Sequence, residues 1–282
     1  MPNRSSTPNP TLTVLIVNYN GRKFLANCLD SISRYVSCTH EVVVVDNASV
    51  DGSVDFLRTN YPEVRLLQSS TNLGFARGNN LGAAAANGKY LLLLNNDTLL
   101  LDDVTPALDL LEGNPRIGII GATMLDGERR WCASTGNFPS PFRLILFSSI
   151  LHSFRCMTRT LHNLRSCEVD WAQGSFLLME FKTYRLLGGL DEEYFMYVED
   201  VDFCKRASLS GLSTVYCSDV SYVHFGGFKR GRWHLLYEGF RRYHRKFSSL
   251  PVRIAAYTVL HVGRVLRSII YGSGARSEVC NE

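Results

Sequence analysis

Apolar and polar residues fall in blocks along this chain. Leu12–Val17 (L-T-V-L-I-V), the V-V-V-V within Glu41–Val45, Val64–Leu67 and Tyr90–Leu94 (Y-L-L-L-L) are apolar runs of strand length. A run without alternation predicts a strand covered on both faces, as in the interior of a parallel sheet. Helical spacing fills the gaps. Phe24, Leu25, Cys28, Leu29 and Ile32 mark a helix within Lys23–Tyr35. Asp51-Gly52-Ser53 opens a second helix, with Ser53 or Asp51 as its cap. A small-residue helix follows over about Ala76–Ala86. Strand, polar turn and helix repeat three times before the fourth strand, which predicts a parallel sheet with crossover helices.

Each of these strands leads into a polar cluster: N-Y-N (18–20), D-N-A-S (46–49), N-L-G (72–74) and N-N-D (95–97). Four such clusters at one sheet edge would line one crevice, where open α/β sheets hold ligands. The Asp97 carboxylate suits a divalent cation, although N-N-D-T also reads as a plain turn or helix cap. No G-x-G-x-x-G follows the first strand, and no G-x-x-x-x-G-K-S/T occurs anywhere. A nucleotide here would therefore be held by side-chain contacts to base and ribose, with a cation on its phosphates.

Further on, a helix is predicted over about Pro106–Glu112 and a strand over Ile117–Gly121. Residues 126–167 are irregular, and the apolar-basic Phe142–Leu164 fits a loop or a short amphipathic surface helix. Phe176–Met179 reads as core. Phe181–Leu187 reads as a helix stopped by Gly188-Gly189. Leu212–Tyr216 is a further strand, and His224-Phe225-Gly226-Gly227 lies beyond Ser221–Val223. In the acid-rich stretch Asp191–Ala207, Glu199 and Asp202 share a helical face while Asp200 points elsewhere. These acids can supply a general base, or simply favour a helix N-terminus.

Composition narrows the class. With 282 residues, 45% apolar and 20% charged, the chain holds one large α/β domain or two small ones, and global disorder is excluded. The net charge of +4 matters less than its placement. Lys229, Arg230, Arg232, Arg241, Arg242, Arg245 and Lys246 face a single acid, Glu238, and aromatic residues interleave with them at helical spacing. That predicts a basic amphipathic helix. Lys229, Arg230 or Arg232 would close on a diphosphate, and Arg241–Lys246 suits an anionic membrane or a lipid diphosphate. Val252–Tyr271, with Arg253, Arg264 and Arg267, reads as an interfacial helix. No apolar run is long enough to span a bilayer, and the first ten residues read as a loose tail without signal-peptide character. Eight scattered cysteines without C-x-x-C predict reduced thiols and a cytoplasmic protein, and the basic and interfacial helices predict a peripheral place on the inner face of the cytoplasmic membrane. No nucleic-acid motif accompanies the positive charge.

Seven motifs in order resemble glycosyltransferase family 2, and in particular its rhamnosyltransferase-like bacterial branch. They are V-N-Y-N-G (17–21), V-V-V-D-N-A-S-V-D-G-S (43–53), N-L-G-F-A-R-G-N-N (72–80), L-L-L-N-N-D (92–97), W-A-Q-G-S-F-L-L (171–178), G-G-L-D-E-E-Y-F-M-Y-V-E-D-V-D-F-C-K-R-A (188–207) and H-F-G-G (224–227). The resemblance spans residues 12–245 and implies an α/β GT-A fold, with a mixed, mainly parallel sheet flanked by helices. The domain would run from 11 to 227, with a nucleotide-sugar half (11–123) and an acceptor half (168–227), followed by a basic helical region over 228–282.

The resemblance also implies transfer of a sugar, rhamnose among the candidates, from a dTDP- or UDP-sugar to a hydroxyl of a lipid-linked or polysaccharide acceptor, with inversion. It assigns donor contacts to Asn18, Tyr19, Asn20, Asp46, Asn72, Phe75, Ala76, Asn79, Asn80, Asn95 and Asn96. Trp171, Gly174 and Ser175 fall beside the donor sugar and acceptor, with core packing as their alternative. Asp97 falls in the family's D-x-D position, whose first acid is here Asn95. With His224 it would hold Mg or Mn; His224 otherwise serves the diphosphate or the structure. Asp200 is the implied base, and Glu199 orients it or the acceptor. A non-catalytic sugar-nucleotide or membrane-binding module of the same fold is the competing reading. A nucleotidyltransferase would need a glycine-rich basic loop after the first strand, which V-N-Y-N-G-R-K is not.

Overall fold

The computed structural model describes residues 9–145, 166–226 and 232–271, the last six of these for their backbone only. Its centre is a mixed sheet. Strands β1 (Leu12–Asn18), β2 (His40–Asn47), β3 (Arg65–Ser69) and β4 (Tyr90–Asn95) run parallel in the order β3-β2-β1-β4. They are joined by α1 (Arg22–Tyr35), α2 (Ser53–Asn60) and α3 (Gly74–Ala83). This is the predicted alternation, with boundaries shifted by one to three residues. The second helix starts on Gly52, in the left-handed region at φ 81°, while the Asp51 carboxylate accepts the Ser53 N–H one residue further on.

The sheet continues through β11 (Phe176–Glu180), β6 (Ile117–Leu125) and β12 (Ser213–His224) to β5 (Thr98–Leu100). β11 is antiparallel to β4 and β6, and β12 is parallel to β6. Short strands β7 (Trp131–Cys132) and β9 (Cys167–Val169) pair with β6 and β12, and β8 (Thr135–Gly136) pairs with β10 (Trp171–Ala172).

Both faces of this sheet are covered, which is why the apolar runs do not alternate. Along β4, Leu91 and Leu93 join one core with α3, while Tyr90, Leu92 and Leu94 join the other with α1. The first core also holds α6 (Phe181–Leu186), α7 (Glu199–Leu209), α8 (Trp233–Phe247) and α9 (Leu250–Tyr271); the second holds α4 (Thr105–Gly113). α5 (Pro141–Ile145) packs beside α9.

β12 is one strand where the sequence pattern places two segments. Its pairing with β6 jumps from Cys217 opposite Ala122 to Ser221 opposite Thr123, so Ser218–Val220 form a bulge. Beyond the bulge the strand pairs with β5, and His224 stands opposite Thr98.

Two expectations change. Cys167 is disulfide-bonded, so the thiols are not all reduced; Cys28, Cys38, Cys132, Cys204 and Cys217 are free, and the partner lies outside the described residues. The cluster in α8 is also largely committed within the chain. Arg242 and Arg245 pair with Glu193, and Lys246 pairs with Asp191 and with fully buried Asp202. Those acids stand some fifty residues earlier, which is why the local charge run read as a membrane patch.

Candidate active site

The C-terminal ends of β1, β2 and β4 are tied together by side chains. Asn18 donates to Asp46 Oδ1 at 2.9 Å and accepts from Asn96 Nδ2 at 2.7 Å. Asp46 Oδ2 accepts the Ser49 N–H, and Ser49 Oγ accepts the Asn20 N–H. Asn18 and Asp46 have at most 1% of their surface exposed, so they brace the strand ends as a floor beneath the exposed turn. Tyr19 and Asn20 are the exposed part of that turn. Asn20 (φ 50°) and Ala48 (φ 64°) sit in the left-handed region, a conformation that strains a side-chain-bearing residue.

The turn between β4 and β5 presents Asp97. Its carbonyl accepts the Phe225 N–H, which pins it beside the end of β12. His224 Nε2 lies 3.2 Å from Asn95 Nδ2, a donor, which suits the tautomer with Nε2 unprotonated. The same nitrogen stands 3.1 Å from Asp97 Oδ1, and that buried oxygen accepts no hydrogen bond. In that tautomer two lone pairs face each other, an arrangement that a cation relieves. The backbone leaves room for it: a Cβ on Gly226 would come within 2.0 Å of Asp97 Oδ2 and 3.2 Å of His224 Nε2. One carboxylate oxygen and one imidazole nitrogen are donors that would suit a divalent cation. Among the described residues, no three His, Cys, Asp or Glu side chains gather to make a complete protein cage.

Across the rim stands the acidic pair. Two consecutive residues before it, Tyr197 (φ 71°) and Val198 (φ 72°), are left-handed. This is costly for a β-branched residue, on the order of 1–3 kcal/mol each. Asp200 is half-buried. Its Oδ2 accepts the Gly174 N–H and its Oδ1 the Val201 N–H, both at 2.8 Å. Burial raises its pKa, and the two N–H groups oppose that rise. Glu199 is buried with Oε2 unpartnered; burial first, then the Asp200 charge, push its carboxyl well above the ordinary range. Burial thus favours the neutral carboxyl more strongly at Glu199 than at Asp200, whose oxygens the two N–H groups hold.

One line of hydrogen bonds joins the two sides. Asp200 accepts from Gly174, Ser175 C=O accepts the Asn95 N–H, and Asn95 reaches His224 beside Asp97.

Several expected ligand contacts are instead support. Asn80 uses its whole amide group on Tyr184 OH, Leu190 N–H, Leu190 C=O and Glu192. Trp171 is buried, with its indole N–H on the Asn137 carbonyl. Buried Ser175 is bonded to Tyr222 OH at 2.6 Å. Ala76 and Asn79 are buried within α3, and Asn79 donates back to Phe75 C=O. Asn72 caps the Gly74 N–H, and Phe75 lies against Gly174, where a Cβ would meet its ring at 3.1 Å. Arg232 contacts Met196 Sδ at 3.5 Å; Lys229 and Arg230 lie outside the described residues. Sequence reasoning missed Asn47, whose buried Oδ1 is unpartnered, and the seat that Gly226 provides. Both stand inside motifs that the pattern did single out.

The profile of glycosyl transferase family 2 matches residues 13–167, more than half of the chain. The chain belongs to glycosyl transferase family 2.

Relatives of this family 2 enzyme agree. The N-acetylglucosaminyl-diphospho-decaprenol L-rhamnosyltransferase of Mycobacterium tuberculosis is 29% identical over 78% of both chains. The rhamnosyltransferase WbbL of Escherichia coli K12 is 28% identical, over 57% of this chain and 67% of its own. The low-salt glycan biosynthesis hexosyltransferase Agl10 of Haloferax volcanii is 26% identical, over 84% of this chain and 74% of its own.

Solved structures share the fold. GalNAc-T7 with UDP, GalNAc and Mn2+ matches with a TM-score of 0.65 and 13% identity over 85% of this chain, which spans 48% of that one. The mannosyltransferase PcManGT of Pyrobaculum calidifontis, with GDP-Man and Mn2+, matches with a TM-score of 0.60 and 19% identity, over 95% of this chain and 77% of its own. The protein is a glycosyltransferase with the mainly parallel α/β architecture of the GT-A fold. The family profile ends before Glu199 and Asp200.

Proposed function

We propose that this glycosyltransferase moves a hexose from a nucleoside-diphosphate donor to a hydroxyl of a lipid-linked or polysaccharide acceptor, with inversion at the anomeric carbon. Two rhamnosyltransferase relatives support rhamnose as the sugar, carried on a dTDP- or UDP-donor. Tyr19, Asn20 and Asn96 line the donor side over the Asn18–Asp46 floor. Asp97 and His224 would hold Mg or Mn, and Asn95 orients His224 without adding charge. Such a cation neutralises the charge that develops on the departing diphosphate. Asp200 accepts the acceptor's hydroxyl proton, so that oxygen attacks from the face opposite the leaving group. Glu199, which burial pushes towards its neutral form, limits the negative charge in that wall. A lipid-linked acceptor, as in the mycobacterial relative's name, supports work at an anionic membrane surface on the cytoplasmic side.

The observation that carries this reading is the hydrogen-bonded line from Asp200 through Gly174, Ser175 and Asn95 to His224 and Asp97. It supports reading Asp200 as the base and Asp97 with His224 as cation ligands at the two ends of one connected wall, a pairing that a binding module has no use for. The test is a thermal-shift screen of nucleotide sugars, dTDP-rhamnose included, with and without Mg or Mn. Donor binding raises the melting temperature. The cation-dependent part of the rise should vanish in Asp97→Ala. A flat response of the wild type across all donors would remove the reading; binding without transfer to any acceptor would favour the non-catalytic module.

A further inference from the structure

We infer that the outer face of α9 docks on an anionic phospholipid surface. The inference rests on the reading above only in expecting a lipid-linked acceptor. A surface helix of a water-soluble protein normally turns its polar side outward. α9 does not. Ala256 and Leu260 are buried in the core shared with α8, while Leu250 (57% exposed), Ile254 (57%), Val262 (49%) and Val265 (42%) face out. Successive steps of four, eight and three residues keep these four within one side of the helix, and Thr258 and His261 fall between them. The helix is thus apolar both inside and out.

Charge fixes what covers the outer side. Leu250–Tyr271 contains Arg253, Arg264 and Arg267 and no acid. Arg253 and Arg264 are eleven residues apart, about three turns, so they flank the apolar stripe along one edge. Beside α9, the short helix α5 leaves Phe142 (70%) and Ile145 (64%) exposed. Aliphatic side chains bordered by arginine, without a single carboxylate, match the boundary of acyl chains and anionic headgroups. No described helix is long and apolar enough to cross a membrane, so the contact is one of lying on the surface. The α8 cluster, committed to Asp191, Glu193 and Asp202, is not the membrane-facing charge.

The experiment is co-sedimentation of the full chain with phosphatidylglycerol/phosphatidylcholine vesicles, against pure phosphatidylcholine and across salt. The wild type should pellet with the acidic vesicles, and less so at high salt. Ile254→Asp/Val262→Asp should lower partitioning by about tenfold or more. Arg253→Gln/Arg264→Gln should lower it by about fivefold per arginine and flatten the salt dependence. Thr258→Glu, a single exposed change on the same face, guards against loss of fold, with melting curves read for every variant. Wild type left in the supernatant, or all variants pelleting alike, overturns the inference. So does a dimer that Ile254→Asp/Val262→Asp splits without changing vesicle binding, since the face then joins two copies. Donor binding is read without vesicles, so a protein that binds donor but no vesicle loses this inference alone, and the converse loses only the proposed function.

Discussion

Lys246 Nζ, on α8, reaches the carboxylate of Asp202, on α7, a side chain with no exposed surface. The same ammonium holds Asp191 at 2.7 Å, and Asp202 also takes Arg206 Nε at 2.6 Å and Tyr194 OH at 3.2 Å. Nearer the start of α8, Gly239 presses directly on the turn before the acidic pair: a Cβ there would stand 2.8 Å from Val198 and 2.9 Å from the Tyr197 carbonyl. Helix α8 thus braces the strained turn that aims Asp200.

Removing Lys246 leaves a buried carboxylate short of a partner. Lys246→Met should destabilise the fold by about 3–5 kcal/mol in urea unfolding. Any residual folded enzyme should lose kcat more than donor affinity, because the donor floor lies on β1 and β2. A variant as stable as the wild type would show that the pair contributes nothing net.

Asp200→Asn should retain cation-dependent donor binding while transfer falls by about 10²–10⁴-fold. Burial raises the Asp200 pKa, so the acid limb of kcat should lie above the ordinary aspartate range and should disappear in the variant. Full activity in Asp200→Asn, measured on a defined acceptor, removes it as the base.

The folded state binds the Glu199 proton more tightly than the unfolded chain does, since its carboxyl is raised well above 4.5. Stability from this group is therefore full below the unfolded value and declines as pH rises towards the folded one. Glu199→Gln should flatten that decline and raise the melting temperature at neutral pH. An unchanged pH profile would mean that Glu199 is ionised in the fold.

His244 has the opposite sign. It is buried, with Nδ1 on Ser248 Oγ at 2.8 Å and Nε2 unpartnered, and burial lowers its pKa from 6.5 to about 4. The unfolded chain binds the proton first, so stability should fall as pH drops from 6.5 towards 4, by roughly 3 kcal/mol at most. His244→Leu should remove that slope in melting curves taken between those pH values.

The sheet was legible because its strands are buried on both faces. Leu91 to Leu94 leave no ambiguity about a central strand, and the polar ends of β1, β2 and β4 mark the crevice. What failed was what depends on distance along the chain. Nothing local to Arg242 or Lys246 shows Glu193 and Asp202 waiting across the fold. Nothing in N-L-G-F-A-R-G-N-N shows that Asn80 is spent on the 184–192 turn. The strand β12 was split in two because Ser218-Asp219 interrupts its apolar pattern, and a bulge is invisible without the partner strand.

That bulge also carries a consequence for the gene. Side chains alternate about a strand, so the number of residues between Cys217 and Ser221 sets the parity of everything beyond. Deleting one residue there would turn His224 from Asp97 towards the opposite face and exchange the faces of Tyr222 and Val223, although every functional codon remained intact. Length in this three-residue segment is under tighter constraint than identity, and a frame-preserving deletion should be as damaging as losing the histidine itself.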